Sequence, residues 1–298
     1  MARADLTAGP LVAGPALRSF ARLAGRLFVE PTGRQGGTRS LRRQRGPGLQ
    51  YLDHRNYVAG DDLRWVNWPQ TARLGRPIVR QFQREAATDW MVCVDASSSM
   101  VAVGDEKWRR AQQAAVAIAY TLLELGHRAG LLIYGPGIEA ICPPGRGQSH
   151  FAGIDRMLRS HPPRAAGSVA VLGSCLRQLR GAAAAFVISD FLGDAATQRD
   201  LGLLRRACAV VHALQLLSPP ELRLPGAGPV ELIDVENGAR HPYVIYPGHE
   251  TAAQRHAQAH VRRLRSFCAG RGITFSQAST SLSWQRALLR HLGGIAAR

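Results

Sequence analysis

The sequence predicts an α/β fold in which a mostly parallel, doubly wound sheet follows a small β-rich N-terminal region. From residue 89 onward, short apolar runs alternate with amphipathic stretches of helical spacing, which is typical of parallel strands joined by crossover helices. The chain has 298 residues, enough to bury a large core, and its 46% hydrophobic and 20% charged residues indicate a folded globular protein. We divide it into three segments, residues 1–32, 33–88 and 89–298.

The first segment, residues 1–32, is predicted to be a basic N-terminal arm that contains an amphipathic helix. Apolar side chains such as Leu17 and Phe20 follow helical spacing, and arginines recur at every fourth position from Arg18 to Arg26. A helix of this kind can lie on a membrane surface. We expect it instead to pack its apolar face against its own domain or a partner.

The charge of the chain is strongly positive and uneven. The net charge is +17, and Lys107 is the only lysine among 38 basic residues. The first fifty residues hold nine arginines against two acidic residues, a net charge of +7. Such an arm is a candidate contact surface for nucleic acid or another anionic partner. A GC-rich coding bias explains the arginine content equally well, so both interpretations stay open.

The second segment, residues 33–88, is rich in glycine, arginine and aromatic residues. Its last part, residues 76–85, alternates in polarity and is predicted to form a strand. The polar run GDDLRWVNW at residues 60–68 is predicted to form an ordered loop. We therefore expect short strands and loops here, without a long helix.

The third segment, residues 89–298, carries the regular alternation. Strands are predicted at residues 90–95, 129–135, 184–190, 209–217 and 273–279, with a hairpin at 230–246. Helices are predicted at about residues 107–125, 150–159, 171–180, 201–207 and 252–269, with a last helix at the C-terminus. In such folds ligands bind at the carboxyl ends of the strands, so polar residues that follow a strand are the candidates for a site.

A D-x-S-x-S pattern follows the first of these strands. Asp95, Ser97 and Ser99 place one carboxylate and two hydroxyls within five residues, and hard oxygen ligands of this kind suit magnesium or manganese. The alternative is a helix N-cap, since Asp and Ser are preferred caps. Capping needs only one oxygen, and we therefore favour metal binding.

Asp190 ends a second apolar strand, in the run FVISDF. On its own it would be interpreted as a cap or a turn residue. Because the carboxyl ends of parallel strands meet at one edge of the sheet, we expect Asp190 to face the same crevice as Asp95.

These two motifs resemble the metal-ion-dependent adhesion site of von Willebrand factor type A domains, over about residues 89–282. The resemblance implies a von Willebrand type A-like, Rossmann-like fold and assigns Mg²⁺ (or Mn²⁺) to four ligands, Asp95, Ser97, Ser99 and Asp190. The family also uses a threonine from a second loop. Here Ala170 aligns with that threonine and Ser168 is the nearest hydroxyl, so the resemblance predicts a site that binds metal weakly or has lost it.

The region upstream, residues 36–85, resembles the family called domain of unknown function 58. The matching positions are Arg55, Tyr57, Gly60, Asp61, Asp62, Arg64, Trp68, Ala72 and Arg73. Asn67 stands where the family has an aspartate. The combined resemblance, over about residues 33–285, implies a partner of MoxR-type AAA+ ATPases with a chaperone-like role in the assembly of other complexes.

We therefore predict a non-enzymatic, metal-dependent protein-binding module whose partners are a MoxR-type AAA+ ATPase and an unknown client protein. The alternative is a nucleic-acid-binding protein that uses the segment from Arg34 to Arg45, with Tyr51 and Tyr57 as stacking residues. Metal-assisted phosphoester hydrolysis is a weaker third possibility, because neither a base nor a phosphate clamp is identifiable.

Other chemistries lack their motifs. The sequence contains no G-x-x-x-x-G-K-[ST] phosphate loop, no G-x-S-x-G elbow and no H-E-x-x-H zinc motif. Its five cysteines are widely spaced without a C-x-x-C pair, which indicates free thiols in a reducing compartment. With no secretory leader pattern and no uncharged apolar run near the ~18 residues of a membrane span, we expect a cytoplasmic protein.

Overall fold

The computed structural model describes residues 9–27, 45–58, 63, 66–83, 88–162, 172–179, 182–193, 195–222, 226–235 and 238–296. The chain divides into two compact units. The smaller unit comprises residues 33–87, and the larger comprises residues 1–32 together with 88–298. Each unit is described by itself.

The described residues form ten strands, seven α-helices and three 3-10 helices. The strands are β1 Arg45–Asn56, β2 Ile78–Gln83, β3 Asp89–Asp95, β4 Arg128–Tyr134, β5 Ile138–Gly145, β6 Ala184–Ser189, β7 Val210–Leu217, β8 Gly228–Ile233, β9 Arg240–Ile245 and β10 Thr274–Ser279. The α-helices are α1 Gly14–Ala24, α2 Trp68–Leu74, α3 Glu106–Glu124, α4 Gln148–Ser160, α5 Ala195–Ala207, α6 His249–Ala269 and α7 Trp284–Ala296. The 3-10 helices are Ser98–Val101, Leu172–Leu179 and Pro219–Leu222.

The smaller unit is built on the antiparallel pair of β1 and β2, with α2 between them in the chain. Asn67 caps α2, because its side-chain oxygen accepts a hydrogen bond from the Gln70 backbone N–H at 3.5 Å. Asparagine is among the preferred N-cap residues, so this departure from the family pattern keeps a capping oxygen. The signature residues Gly60, Asp61, Asp62 and Arg64 lie outside the described residues.

The larger unit contains a six-stranded sheet with the order β10-β7-β6-β3-β4-β5. All neighbouring strands are parallel except β5, which pairs antiparallel with β4. The strands β8 and β9 form a separate antiparallel hairpin. The chain runs from β3 toward one edge of the sheet and from β6 toward the other, so the order reverses between these two neighbouring strands.

Helices cover both faces of this sheet because its strands are apolar on both sides. Val92 and Val94 point into one core, called here the first core, together with α1, α3, α4 and α7. Met91 and Cys93 point into the second core, together with α5, α6 and the 3-10 helix at residues 172–179. Each fully buried valine contributes about 1.5–3 kcal/mol of hydrophobic stabilisation. The predicted fold class, a doubly wound and mostly parallel α/β sheet, is confirmed, and it is consistent with a von Willebrand type A-like fold.

Helix α1 of the basic arm packs within the larger unit. Leu17, Phe20 and Ala24 are buried in the first core, and the Phe20 ring lies edge-on to Trp284 of α7 with 5.1 Å between ring centroids. Arg18 is on the exposed side of the helix. The helix thus packs its apolar side against α3 and α7 and leaves its arginines in solvent.

In the larger unit, three elements differ clearly from the sequence prediction. Strand β5 was not predicted, since Pro143 and Pro144 make its sequence resemble a loop; an edge strand tolerates proline because one side of it needs no backbone donor. The helix predicted at residues 171–180 is a 3-10 helix over its described part. Helix α5 starts at Ala195, six residues before the predicted start, in a stretch with few apolar residues.

A pair of buried histidines joins β7 to α7 inside the first core. His212 Nδ1 lies 3.0 Å from His291 Nε2, and His291 Nδ1 lies 2.7 Å from the Ser276 hydroxyl. The Phe186 ring stacks on His212 with 5.5 Å between centroids. Burial lowers the pKa of His212 to about 4 and that of His291 well below its ordinary value, so both rings are neutral near pH 7.

The five cysteines are all free thiols, and four of them are buried. Burial raises the pKa of Cys93, Cys208 and Cys268, which keeps these sulfurs protonated. In the parts of the chain that the structure describes, none of the helices has both the length and the apolar character that crossing a membrane requires.

Candidate functional site

The predicted site residues meet at the carboxyl edge of the sheet, where the strand order reverses. Asp95 is the last residue of β3, and Asp190 directly follows the neighbouring parallel strand β6. Both carboxylates are buried and line one cleft of about 50 Å³ together with Ser97 and Ser99. All four sequence-predicted ligands therefore border the same cleft, at the position where doubly wound sheets bind ligands.

The first loop is fixed by its own hydrogen bonds. Asp95 Oδ1 accepts from the Ser97 backbone N–H at 2.8 Å, and the Ser97 and Ser99 hydroxyl oxygens lie 3.1 Å apart. Ser97 precedes the 3-10 helix at residues 98–101, but within the described residues its side chain makes no capping hydrogen bond to that helix. The hydroxyls are thus turned to each other at the cleft and do not serve as the cap that was the alternative interpretation.

Ser189 connects the two loops, and the sequence analysis missed it. Its hydroxyl donates to Asp95 Oδ2 at 2.6 Å and accepts from the Phe191 backbone N–H at 2.9 Å. The hydroxyl therefore ties the end of β3 to the turn after β6. Its place directly before Asp190 at the end of a strand was the available signal.

The turn that carries Asp190 is held from three sides. Its backbone carbonyl accepts from Gln215 Nε2 of β7 at 2.8 Å, and its Oδ1 accepts weakly from the Leu192 N–H at 3.4 Å. The next residue, Phe191, has φ +48°, and its carbonyl accepts from His260 Nε2 of α6 at 2.8 Å. A positive φ is unfavourable for a bulky side chain, so these contacts hold the turn in a conformation it would not adopt alone.

Lys107 contacts the other oxygen of Asp190, a contact that the sequence analysis did not predict. The ammonium of this buried lysine, in the first turn of α3, donates to Asp190 Oδ2 at 2.8 Å and also pairs with Glu221 Oε1. Glu221 is held in turn, because its Oε2 accepts from the Ser218 backbone N–H at 2.7 Å. The only signal in the sequence was that the chain contains a single lysine.

The electrostatics of the cleft are those of crowded negative charge. The pKa of Asp95 is raised to about 7, first by burial and then by the nearby Asp190 carboxylate, while the hydrogen bonds from Ser189 and Ser97 act in the opposite direction. Burial also raises the pKa of Tyr134, which borders the cleft, well above its ordinary value. Both shifts indicate that additional negative charge is unfavourable here and that a cation would be favourable.

The opposite wall of the cleft comes from α5 and the 3-10 helix at residues 172–179. Thr197 and Asp200 of α5 border it, as does Leu172. Asp200 Oδ2 accepts from the Gly173 N–H at 2.8 Å, which joins this helix to α5. Ala170 and Ser168, on which the predicted weakness of the metal site depends, lie outside the described residues, so that expectation stays a prediction.

The donor set fits a small divalent cation. The four predicted ligands offer two carboxylates and two serine hydroxyls to the cleft, and hard oxygen donors are those that Mg²⁺ and Mn²⁺ prefer, with water completing the coordination. The described residues contain no group of three or more His, Cys, Asp or Glu side chains arranged around one point. The four predicted ligands therefore offer an oxygen site with two carboxylates.

The segment proposed for nucleic-acid binding is almost wholly beyond what the structure describes. Residues 34–44 lie outside the described ranges, and Arg45 begins β1. Tyr57 is half-buried. The nucleic-acid alternative therefore stays a prediction.

Comparison with known proteins identifies a family but no activity. The family model described as "Protein of unknown function DUF58" matches residues 53–263. The uncharacterized proteins Rv1480 of Mycobacterium tuberculosis and Mb1516 of Mycobacterium bovis are each 32% identical over 254 residues, which cover 82% of this chain and 79% of theirs.

Among solved structures, the conserved hypothetical protein BatB from Bacteroides thetaiotaomicron aligns with a TM-score of 0.40 and 14% identity, over 71% of this chain and 100% of that one. The pilus adhesin SpaC from Lactobacillus rhamnosus GG aligns with a TM-score of 0.29 and 11% identity, over 72% of this chain and 28% of that one.

Proposed function

Because the chain belongs to the DUF58 family of proteins of unknown function, we propose its role from the cleft: a non-enzymatic protein-binding module that requires a divalent metal ion. Asp95, Ser97, Ser99 and Asp190 would hold Mg²⁺ or Mn²⁺. When bound, the ion supplies a positive charge with an open coordination position, which accepts a carboxylate from a partner protein.

The observation that carries this proposal is the burial of two carboxylates beside two hydroxyls at the switch point of the sheet. Asp95 and Asp190 come from neighbouring strands, and the turns that carry them are fixed by Ser189 and by the backbone contacts around Phe191. Burying like charges together is unfavourable unless a cation accompanies them. A site that is rigid before binding also loses little conformational entropy when a partner docks.

Binding, and not catalysis, is the better account of this cleft. Among the described residues that border it, none is a histidine, cysteine or lysine. Nucleophilic catalysis needs a nucleophile within reach of a base that a third group orients. The described serine hydroxyls Ser97, Ser99 and Ser189 bond instead to each other, to Asp95 or to backbone.

For the partner, we propose a MoxR-type AAA+ ATPase, with an unknown client protein, in a chaperone-like role during the assembly of other complexes. Support comes from the resemblance of residues 36–85 and of the metal motif to the family. The proposed mode of contact is that an acidic side chain of the partner would complete the coordination of a metal held by Asp95 and Asp190.

We also propose a cytoplasmic location. The support is the cysteine chemistry: five free thiols, four of them buried, suit a reducing compartment. Fractionation of cells that express the tagged full chain would test this, and recovery in a compartment other than the cytoplasm would contradict it.

The metal-bridge mechanism predicts that Asp95→Ala abolishes Mg²⁺-dependent capture of an AAA+ partner. The matched control is Asp89→Ala, since Asp89 lies at the start of the same strand, far from the cleft, and forms a surface ion pair with Arg128. Circular dichroism would check that both variants are folded. Capture that is equally strong in excess chelator, or that survives Asp95→Ala, would overturn the mechanism.

A further inference from the structure

Lys107 occupies an unusual place for the one lysine of this chain. All 37 other basic residues are arginines, yet this side chain is 1% exposed. It also lies in the first turn of α3, where the helix dipole disfavours a cation. Both features are unfavourable on their own, so the contacts of the ammonium must account for its position.

Those contacts are two buried carboxylates on different loops. The ammonium donates to Asp190 Oδ2 at 2.8 Å and pairs with Glu221, whose other oxygen is bound by the Ser218 backbone N–H. Because Lys107 takes Oδ2 of Asp190, the oxygen left for another ligand is Oδ1, which among the described residues accepts only a weak 3.4 Å bond from the Leu192 N–H. The lysine therefore orients the carboxylate as well as neutralising it.

The charges of Lys107, of its two carboxylate partners and of Asp95 balance only with a divalent cation present. With Asp95, Asp190 and Glu221 all ionised, the three carboxylates carry three negative charges and Lys107 one positive charge. One divalent ion makes the set neutral. Without the ion, the lysine is the only compensation that the described residues in contact with these carboxylates provide.

We propose that Lys107 is the tethered counter-ion and positioning residue of this metal site: it holds Asp190 in place when no metal is bound, and its charge lowers the affinity for the metal. This inference rests on the proposed function, because it assumes that Asp95 and Asp190 bind a divalent cation. It adds that the chain sets the strength of binding by a fixed positive charge beside the ligand. A partner that supplies a carboxylate would then be needed to retain the ion.

The experiment measures Mn²⁺ affinity by calorimetry, and Mn²⁺-dependent Tm, in the full chain and in three variants. Lys107→Met removes the charge and keeps the length of the side chain. Glu221→Gln removes the second carboxylate, and the double variant restores the net charge of the wild-type cleft without a cation beside Asp190. We expect Lys107→Met and the double variant to bind Mn²⁺ at least tenfold more tightly than wild type, and Mn²⁺ to raise their Tm by more.

The outcomes separate this inference from the proposed function. Equal Mn²⁺ affinity in wild type, Lys107→Met and the double variant would show that the lysine charge does not affect metal binding. Weaker Mn²⁺ binding in both variants would show that Lys107 serves only to maintain the structure of the site. Either result overturns the inference. Mn²⁺ binding that is detected in Lys107→Met and the double variant but not in wild type would support the inference. Absence of Mn²⁺ binding in every form at millimolar concentration would overturn both the inference and the proposed metal site.

Discussion

The buried aspartate pair at the carboxyl edge of the sheet differs in charge from the buried histidine pair inside the first core, which is neutral. At the edge, Asp95 and Asp190 lie together with one compensating cation, Lys107. In the core, His212 and His291 bond to each other, and burial lowers both pKa values. The same strands support both clusters, since β6 and β7 reach from the core to the edge.

This difference separates a structural cluster from a binding site. The histidine pair fulfils its hydrogen bonds within the chain and needs no ion, which is how buried polar groups normally stabilise a fold. The cluster at the edge is held just as firmly but keeps an excess of negative charge. A site that the fold positions but does not neutralise is one that a ligand from outside would complete.

Removing the single cation at the edge should have the largest effect on stability. Lys107→Met leaves Asp190 and Glu221 buried without their partner, and breaking a buried ion pair from one side costs about 3–5 kcal/mol. Urea unfolding in the presence of a chelator measures the loss. A loss below about 1 kcal/mol would mean that solvent already screens the cluster, and the contrast with the core would then disappear.

Acid should destabilise the core cluster by a slightly smaller amount. Below pH 6.5 the histidine of the unfolded chain takes up a proton, whereas folded His212 does not until about pH 4. Stability is therefore lost as the pH falls from about 6.5 to 4, by about 3 kcal/mol for His212 alone, and is unaffected above pH 6.5.

Chemical unfolding at a series of pH values tests this loss. His212→Gln should flatten the profile in this window, and His256→Gln on the exposed side of α6 is the matched control. An equal acid response in His212→Gln and wild type would contradict the assignment.

Ser189→Ala should reduce stability by about 2 kcal/mol, since the hydroxyl serves a carboxylate and a buried backbone N–H together. Metal affinity should fall as well, because the Asp95 carboxylate loses the hydrogen bond that fixes its orientation. Thermal unfolding and Mn²⁺ titration measure the two effects. Unchanged metal affinity would show that Ser189 has no part in orienting the ligand.

Asp95→Asn should have the smallest effect on the fold, less than about 1 kcal/mol in chelator. The amide loses the acceptor for Ser189 but removes one of two crowded charges, and these contributions oppose each other. The rise of Tm with Mg²⁺ should vanish. A loss of several kcal/mol would make Asp95 a structural residue like the histidines and would weaken the case for a binding site.

The sequence predicted the larger unit well because its strands are apolar on both faces and its helices are long and periodic. It also predicted that Asp95 and Asp190 share a cleft, since both follow parallel strands and the fold class brings such ends together. Strand β5 was not predicted because Pro143 and Pro144 are typical of a loop. The segment is a strand because it pairs with β4. The periodicity of hydrophobic residues does not indicate a strand that forms only through pairing with a neighbouring strand.

The contacts of Lys107 with Asp190 and Glu221 could not be predicted from the sequence for a related reason. Lys107 and Asp190 are 83 residues apart, and Lys107 and Glu221 are 114 apart. Neither spacing carries a local pattern, and Glu221 follows two prolines in what resembles a loop. Motifs predict residues that act within one loop, whereas partners from distant elements emerge only once the chain is folded.

The two prolines of β5 have a consequence for how copies of this protein meet. An edge strand with free backbone donors can recruit a strand from another chain and start a growing, intermolecular sheet. Pro143 and Pro144 have no N–H to offer, so this border of the sheet is a poor template for such growth. The two prolines therefore limit self-association by strand pairing along this part of β5.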